Sequence, residues 1–349
     1  MIKNALAQFG ERLSGKSGRT REPQKNAESA APKPTPKEVE LTKKFTDLKK
    51  RYDRYAAELI AFRSQAPIFS TLDEVLQARI CPCANASTIQ FAAYPRVSPT
   101  FGTLLLARCV ACGCGYSPKI DFDLDDYYTN QYQADVQPHR LRKGLFFSPE
   151  NPFLETETYA RFKRRSQLML DLGEDATEKS VLDFGCGVGV ALRLAKAEKK
   201  FAVETDPYSV KILQEEVGAV VVAIDAVPEP VDIVLASHVL EHIDAEGIRP
   251  LLQTMRKVVK PDGRFVIAVP DGADQLRRLE GGDRSKVRYE PHLLHFSLVS
   301  LRHLMEEAGF EVLGYSTAKS VTDNPDLYGR EDYERLEKIQ SADLMVVCR

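Results

Sequence analysis

The stretch Val181-Leu182-Asp183-Phe184-Gly185-Cys186-Gly187-Val188-Gly189-Val190 constrains this chain more than any other. Apolar residues interrupted by one acid, then glycine at every second position, predict a buried strand running into a tight turn and a helix opening at about Val188. Glycines in such a turn let the backbone approach a ligand closely, and the helix start presents unpaired N–H groups to it. A dinucleotide fingerprint would need its third glycine one place later, at Val190, so the spacing argues against nicotinamide or flavin. Phe201-Ala202-Val203-Glu204 reads as the second strand. Its terminal carboxylate lies about twenty residues past the glycines, where a βαβ unit sets an acid against a ribose.

The remainder of the chain brackets this core. With 349 residues, 43% of them hydrophobic, two domains or one domain with appendages can bury a core, and a net charge of -2 gives no reason to expect nucleic acid as partner. No run approaches the ~20 apolar residues of a membrane span. Met1-Ile2-Lys3-Asn4-Ala5 lacks the apolar segment of a secretory signal, so the chain reads as cytoplasmic and its seven cysteines as reduced.

Residues 1–34 read as a disordered tail: a short terminal helix stopped by Gly10 and Gly15, then a Ser, Arg, Lys, Pro and Ala stretch without apolar period. Thr35-Pro36-Lys37-Glu38 is a capping box with proline in the first helical position. Behind it Leu41, Phe45, Leu48, Tyr52, Tyr55, Leu59 and Phe62 alternate spacings of four and three, a heptad seam over 35–66. Either a coiled-coil homodimer or partner helix, or a helix laid along the chain's own globular part, buries that stripe.

Residues 78–120 hold the cysteines. Cys81-Pro82-Cys83 and Cys109-Val110-Ala111-Cys112-Gly113-Cys114 form two knuckles separated by a hairpin, and four thiolates so held suit a structural zinc ion. Cys81, Cys83, Cys109 and Cys112 are the expected ligands. Cys81-Pro82-Cys83 is one residue short of the usual knuckle, so Cys114 is the substitute ligand. Residues 121–152 connect this module to the core through an aromatic segment, Tyr127, Tyr128, Tyr132, Phe146 and Phe147.

From roughly Tyr159 to Arg349 the chain resembles the class I S-adenosylmethionine-dependent methyltransferases. The glycine turn, Glu204, Ile224-Asp225-Ala226, Val231 to His242, Val259-Lys260-Pro261-Asp262-Gly263 and His295-Phe296-Ser297 match in the family's order. The resemblance implies an α/β fold over residues 153–349: a Rossmann-like, seven-stranded, doubly wound sheet with an antiparallel final strand, preceded here by a zinc-ribbon-like module and an N-terminal helix. It also implies S-adenosylmethionine as cofactor. Many relatives that act on sugars and small metabolites carry a similar zinc module.

Each part of that cofactor asks for a different group. Backbone N–H groups around Gly185, Gly187 and Gly189 suit its carboxylate, Asp183 its ammonium, Glu204 the two ribose hydroxyls, and Asp225 matches the family's position for the adenine amino group. Methyl transfer is mainly positioning, plus removal of a proton where the acceptor needs it. His242, with Glu241 to orient it, is the expected base; His238 borders the same pocket, and His295 or His292 offer a base from the loop after the fifth strand. In the sugar C-methyltransferases that the chain partly resembles, a tyrosine stands two positions before the Glu-His pair; here Val239 does. Beyond the cysteines no metal triad is visible, and no catalytic metal is expected. The resemblance therefore implies methylation of a hydroxyl or carbon of a small polar metabolite, a sugar or glycan first. The alternative is a silent methyltransferase-fold scaffold recruiting a partner through 35–66.

Overall fold

The computed structural model describes residues 72–83, 88–93, 104–132, 145–272, 274–276, 292–316, 334–335 and 343–349. The expected tail (1–34) and the heptad helix (35–66) lie outside them.

In chain order the strands are β1 (Ile89–Ala93), β2 (Leu105–Cys109), β3 (Gly115–Tyr116), β4 (Ser180–Phe184), β5 (Lys199–Val203), β6 (Val220–Val221), β7 (Val231–Ser237), β8 (Val259–Pro270), β9 (Leu294–His295), β10 (Val312–Ser316), β11 (Glu334–Arg335) and β12 (Asp343–Cys348). They form two sheets. The larger runs β11-β10-β12-β8-β7-β4-β5-β6. Strands β8, β7, β4, β5 and β6 are mutually parallel, and β12 is antiparallel to both neighbours. This is the implied seven-stranded sheet with its antiparallel final strand, plus the two-residue β11 at one edge. From β4 the chain winds outward to β5 and β6, then returns to place β7 on the other side of β4. That reversal opens a crevice beyond the carboxyl ends of β4 and β7, where open α/β sheets bind ligands.

The period-two alternation of each strand builds a core on both faces. Leu182, Val234, Ala236, Phe265, Ile267 and Val346 belong to one buried cluster with Leu252 and Met255 of α5 (Ile248–Val258) and Leu301 and Leu304 of α6 (Leu298–Glu307). Val181, Ile233, Leu235, Val266, Ala268 and Met345 belong to the other, with Met169 and Leu170 of α2 (Glu157–Leu172) and Ala191 and Leu192 of α3 (Val190–Leu194). Local signals set the ends of these helices. Thr156 caps the N-terminus of α2 by accepting from the Tyr159 N–H, and Ser297 and Ser300 make a reciprocal capping box at the start of α6. β8 is twelve residues long, because the irregularity at Pro261-Asp262-Gly263, exposed at Pro261 and Asp262 and buried at Gly263, does not end it.

The smaller sheet, β1-β2-β3-β9, joins the cysteine region to the larger unit. β1 to β3 form an antiparallel meander, and β9, from far along the chain, pairs with β3 through Gly115 with His295 and Tyr116 with Leu294. Ile80, Cys81, Cys109, Cys114 and Tyr116 belong to the same buried cluster as Leu240, Ile248 and Leu252. Tyr116 donates its hydroxyl to the Val75 carbonyl of α1 (Leu72–Gln77) at 2.9 Å, satisfying the polar end of a wholly buried ring.

Candidate cofactor and acceptor site

β4 delivers the glycine turn to the crevice. Gly185, Gly187 and Gly189 all have positive φ (63°, 53° and 74°), a conformation that side chains with a Cβ rarely adopt. Space adds to this at two of them: a Cβ on Gly185 would collide with Val239 Cγ2, and one on Gly189 would sit 2.5 Å from Leu213 Cδ2. The helix after the turn starts at Val190, two residues later than the sequence indicates, because Gly189 is its left-handed cap.

Glu204, at the end of the neighbouring strand, reaches back to this turn. Its Oε2 accepts from the Gly187 N–H at 2.6 Å, and its Oε1 accepts from the N–H groups of Thr205 and Asp206 at 2.9 and 3.0 Å. Sequence reasoning assigned the Gly187 N–H to the cofactor's carboxylate; here it ties the turn to Glu204. Burial raises the Glu204 pKa, and the three N–H donors oppose that rise. A carboxylate has about four acceptor directions, so the group can still receive a hydroxyl. Glu204→Ala should weaken S-adenosylmethionine affinity by ~2 kcal/mol or more, roughly 30-fold, measured by calorimetry. Unchanged affinity in a folded variant would remove the residue from the site.

Asp183 is buried one strand away. Its carboxyl is pushed up to about 8, first by burial and then by the charge of Glu204. It therefore holds a proton at neutral pH, and a cationic ammonium beside it would favour the ionised form. Below pH 8 the free site then carries more protons than the complex, so raising pH favours binding and the dependence flattens above 8. Affinity should rise from ~pH 6 towards 8 by close to tenfold per unit, with up to one proton released. Calorimetry in two buffers of different ionisation enthalpy checks this; identical heats would place Asp183 away from the ammonium. Asp225 lies exposed on the single 3-10 turn Ile224–Ala226 that follows β6.

The acceptor-side groups come from the end of β7. His238 adopts a left-handed φ of 56°, a strained conformation for a non-glycine residue. Its Nε2 lies 2.8 Å from Arg165 Nη1 and 3.1 Å from Asp343 Oδ1. The next turn, Leu240–His242, carries the expected Glu-His pair. Glu241 is only 1% exposed, with Oε1 3.4 Å from His238 Nδ1 and 3.9 Å from His242 Nε2.

The histidine that meets His242 is His292, with ring centroids 4.9 Å apart. His295 lies on β9 in the smaller sheet and accompanies His292 at 6.2 Å. Burial pushes the His295 imidazole down to about 4, against a hydrogen bond with the His292 backbone that raises it, so it is neutral at physiological pH. Both His292 and His295 direct Nδ1 at Gln275 Oε1, at 3.3 and 2.9 Å. Tyr128 stands edge-on to His242 at 6.2 Å and packs with Tyr127 and Tyr132. Phe146 instead packs with Phe153 and Tyr159 near Ile212, and Phe147 lies under the Arg193 guanidinium.

The cysteines converge as well. One sulfur from each of Cys81, Cys83, Cys109 and Cys112 lies within 4.8 Å of the others, and Cys114 Sγ sits 3.5 Å from Cys112 Sγ. Tetrahedral zinc with sulfurs ~2.3 Å away sets its ligands just under 4 Å apart, so the donor set fits. Burial and then the neighbouring thiols push Cys83 up to about 12, whereas hydrogen bonds from Cys112, Cys114 and Cys81 pull Cys109 down.

Arg165, Asp343 and Gln275 were not anticipated. Arg165 and Asp343 reach His238 from 73 and 105 positions away in the chain, and neither stands in a local motif. The turn residues of β4 and the Glu-His pair, by contrast, lie within short recognisable segments.

No curated protein matches the chain. Among solved structures it is similar to magnesium protoporphyrin IX methyltransferase from Synechocystis PCC 6803 with bound SAH, at 12% identity, covering 64% of this chain and 97% of that one, TM-score 0.44. A Pyrococcus horikoshii OT3 protein shares 15% identity over 64% of this chain and 95% of its own, TM-score 0.41. A Haloferax volcanii complex of a methyltransferase activator and a methyltransferase gives 19%, 55% and 91%, TM-score 0.40. The family model described as a methyltransferase domain matches residues 157–314. That span includes the glycine turn, Glu204 and the strands that frame the crevice, and residues 157–314 accordingly form a methyltransferase domain.

Proposed function

We propose that the chain transfers the methyl group of S-adenosylmethionine to a hydroxyl or an acidic carbon of a small polar metabolite, with a sugar or glycan as the first choice. The observation that carries this reading is the buried Glu241 carboxylate beside His238 and His242 at the carboxyl end of β7, next to the glycine turn through Val239. Such a cluster suits removal of a proton from a weakly acidic group. Tyr128, edge-on to His242, adds an aromatic wall of the kind that packs on a sugar ring. In this reading Asp183, the three glycines, Glu204 and Asp225 hold the cofactor, His242 is the base, Glu241 orients it and His292 or His295 supports it.

The catalytic domain spans 153–349, and the module over 78–120 holds one structural zinc through Cys81, Cys83, Cys109 and Cys112. Such an ion would lock the two knuckles together; it has no part in the transfer. The reduced thiols fit a cytoplasmic setting, and among the described residues no helix is long and apolar enough to cross a membrane. Incubation with methyl-labelled cofactor and fractions of nucleotide sugars, free sugars and glycans should move label into one of them. Label confined to protein or nucleic acid, or cofactor bound without turnover against any fraction, would overturn the assignment, the last outcome in favour of the scaffold.

A further inference from the structure

We infer that Glu241, His242 and His292 form a binding site for one divalent transition-metal ion, separate from the cysteine cluster. Each offers one ligand atom, and the three atoms lie within 4.8 Å of one another. Two atoms on a common ion, each ~2.0–2.2 Å from it, stand at most about 4.4 Å apart. Glu241 Oε1 and His242 Nε2, at 3.9 Å, are already inside that limit, and small rotations of the side chains bring in the third.

The chemistry of Glu241 points the same way. The carboxylate is buried, and neither oxygen has a hydrogen-bond partner among the described residues. A carboxylate taken out of water without hydrogen bonds is unfavourable by several kcal/mol unless a cation faces it. His238 Nδ1 is also within reach, at 3.4 Å, but that ring is engaged by Arg165 and Asp343 through Nε2.

Gln275 supplies the third strand of argument. An amide oxygen only accepts, so a contact from His292 Nδ1 to Gln275 Oε1 places the proton on Nδ1 and leaves the lone pair on Nε2. Metal-bound histidines are held in this way, by a hydrogen bond from the nitrogen that does not bind the ion. Gln275 is not recognisable from sequence spacing, and the sequence therefore implied no such site.

Two imidazoles and one carboxylate, with no thiolate, suit Zn, Mn, Fe(II), Co or Ni over calcium or magnesium. Three protein ligands leave positions open for water or for an oxygen of the acceptor. With an ion bound, His242 would be a ligand and not the base, and the ion would supply Lewis-acid activation of an acceptor oxygen; without it, the imidazole lone pair is left to take the proton. The inference goes beyond the acceptor assignment, since occupancy is measurable whatever the acceptor is.

Cobalt(II) is the probe. The full chain, retaining its cysteine-bound metal, should take up one further equivalent, with visible d–d absorption and no sulfur-to-cobalt charge-transfer band. Glu241→Gln and His292→Ala should each lower that affinity by ~10²-fold, and Gln275→Ala by ~10-fold, while thermal melts and cysteine-bound metal stay unchanged. No uptake beyond the cysteine-bound metal, uptake that shows only the charge-transfer band, or full affinity in folded Glu241→Gln would each overturn the site. Glu241→Gln keeps the shape of the side chain, and the Gln275 variant leaves all three ligands in place, so a folding failure in His292→Ala does not end the test.

Discussion

Cys109→Ser should lower the melting temperature by ~10 °C or more, equivalent to ~4 kcal/mol or more in a unit of this size, and should abolish binding of the zinc proposed for the module. The expected size follows from where the cysteine sits. Structural zinc held by four thiolates contributes roughly 10 kcal/mol or more of binding free energy, which is also folding free energy, comparable to the whole stability of a domain. Cys109 is wholly buried at the end of β2, accepts a backbone hydrogen bond from Gly113 and shares a hydrophobic cluster with α5 of the methyltransferase domain. Loss of the knuckle is therefore expected to loosen one face of that domain, seen as a single broadened melt followed by circular dichroism. Elemental analysis of protein purified without added metal gives the companion measurement. Less than about a tenth of an equivalent of zinc in the unaltered chain would sink the site, because structural zinc does not dissociate at working concentrations.

The second large effect is on rate. His242→Ala should slow methyl transfer by about 10²-fold or more and leave cofactor affinity nearly unchanged, because in the proposed arrangement the imidazole would face the acceptor and the cofactor would be held from β4 and β5. Single-turnover measurement at saturating cofactor separates the chemical step from binding. Normal turnover in the variant would transfer the proton-removing role to His292 or His295. Of these, His292 is the better placed, at 4.9 Å from His242 by ring centroids, whereas burial inside the small sheet opposes proton uptake by His295.

How far the sequence disclosed all this depends on how local each feature is. The β4 turn was legible since a glycine alternation between an apolar strand and a helix has few other uses, and Glu204 was legible from its distance along the chain. The Glu-His pair was legible as neighbours in one turn. Three features were not. The left-handed Gly189 moved the helix start to Val190, because a cap conformation depends on packing against Leu213 that a local pattern does not contain. Pro261-Asp262-Gly263 carries strong turn chemistry, yet pairing of Val259 with Val231 keeps it within β8. The contacts of His238 with Arg165 and Asp343, and of Gln275 with two histidines, join segments that only the completed sheet brings together.

The pairing of β9 with β3 has a consequence for anyone wishing to cut the chain into pieces. β9 carries His295, and His292 lies three residues before it, so the cysteine module provides the neighbouring rung that holds the acceptor loop in register. A shortened chain beginning at residue 153 would keep every residue assigned to the cofactor and to proton removal, losing only the Tyr128 wall. It would also leave an uncovered strand edge beside the pocket, free to pair with the same edge of another molecule. Self-association of such a fragment, or a slack acceptor loop, would then report the missing scaffold and not a missing catalytic group.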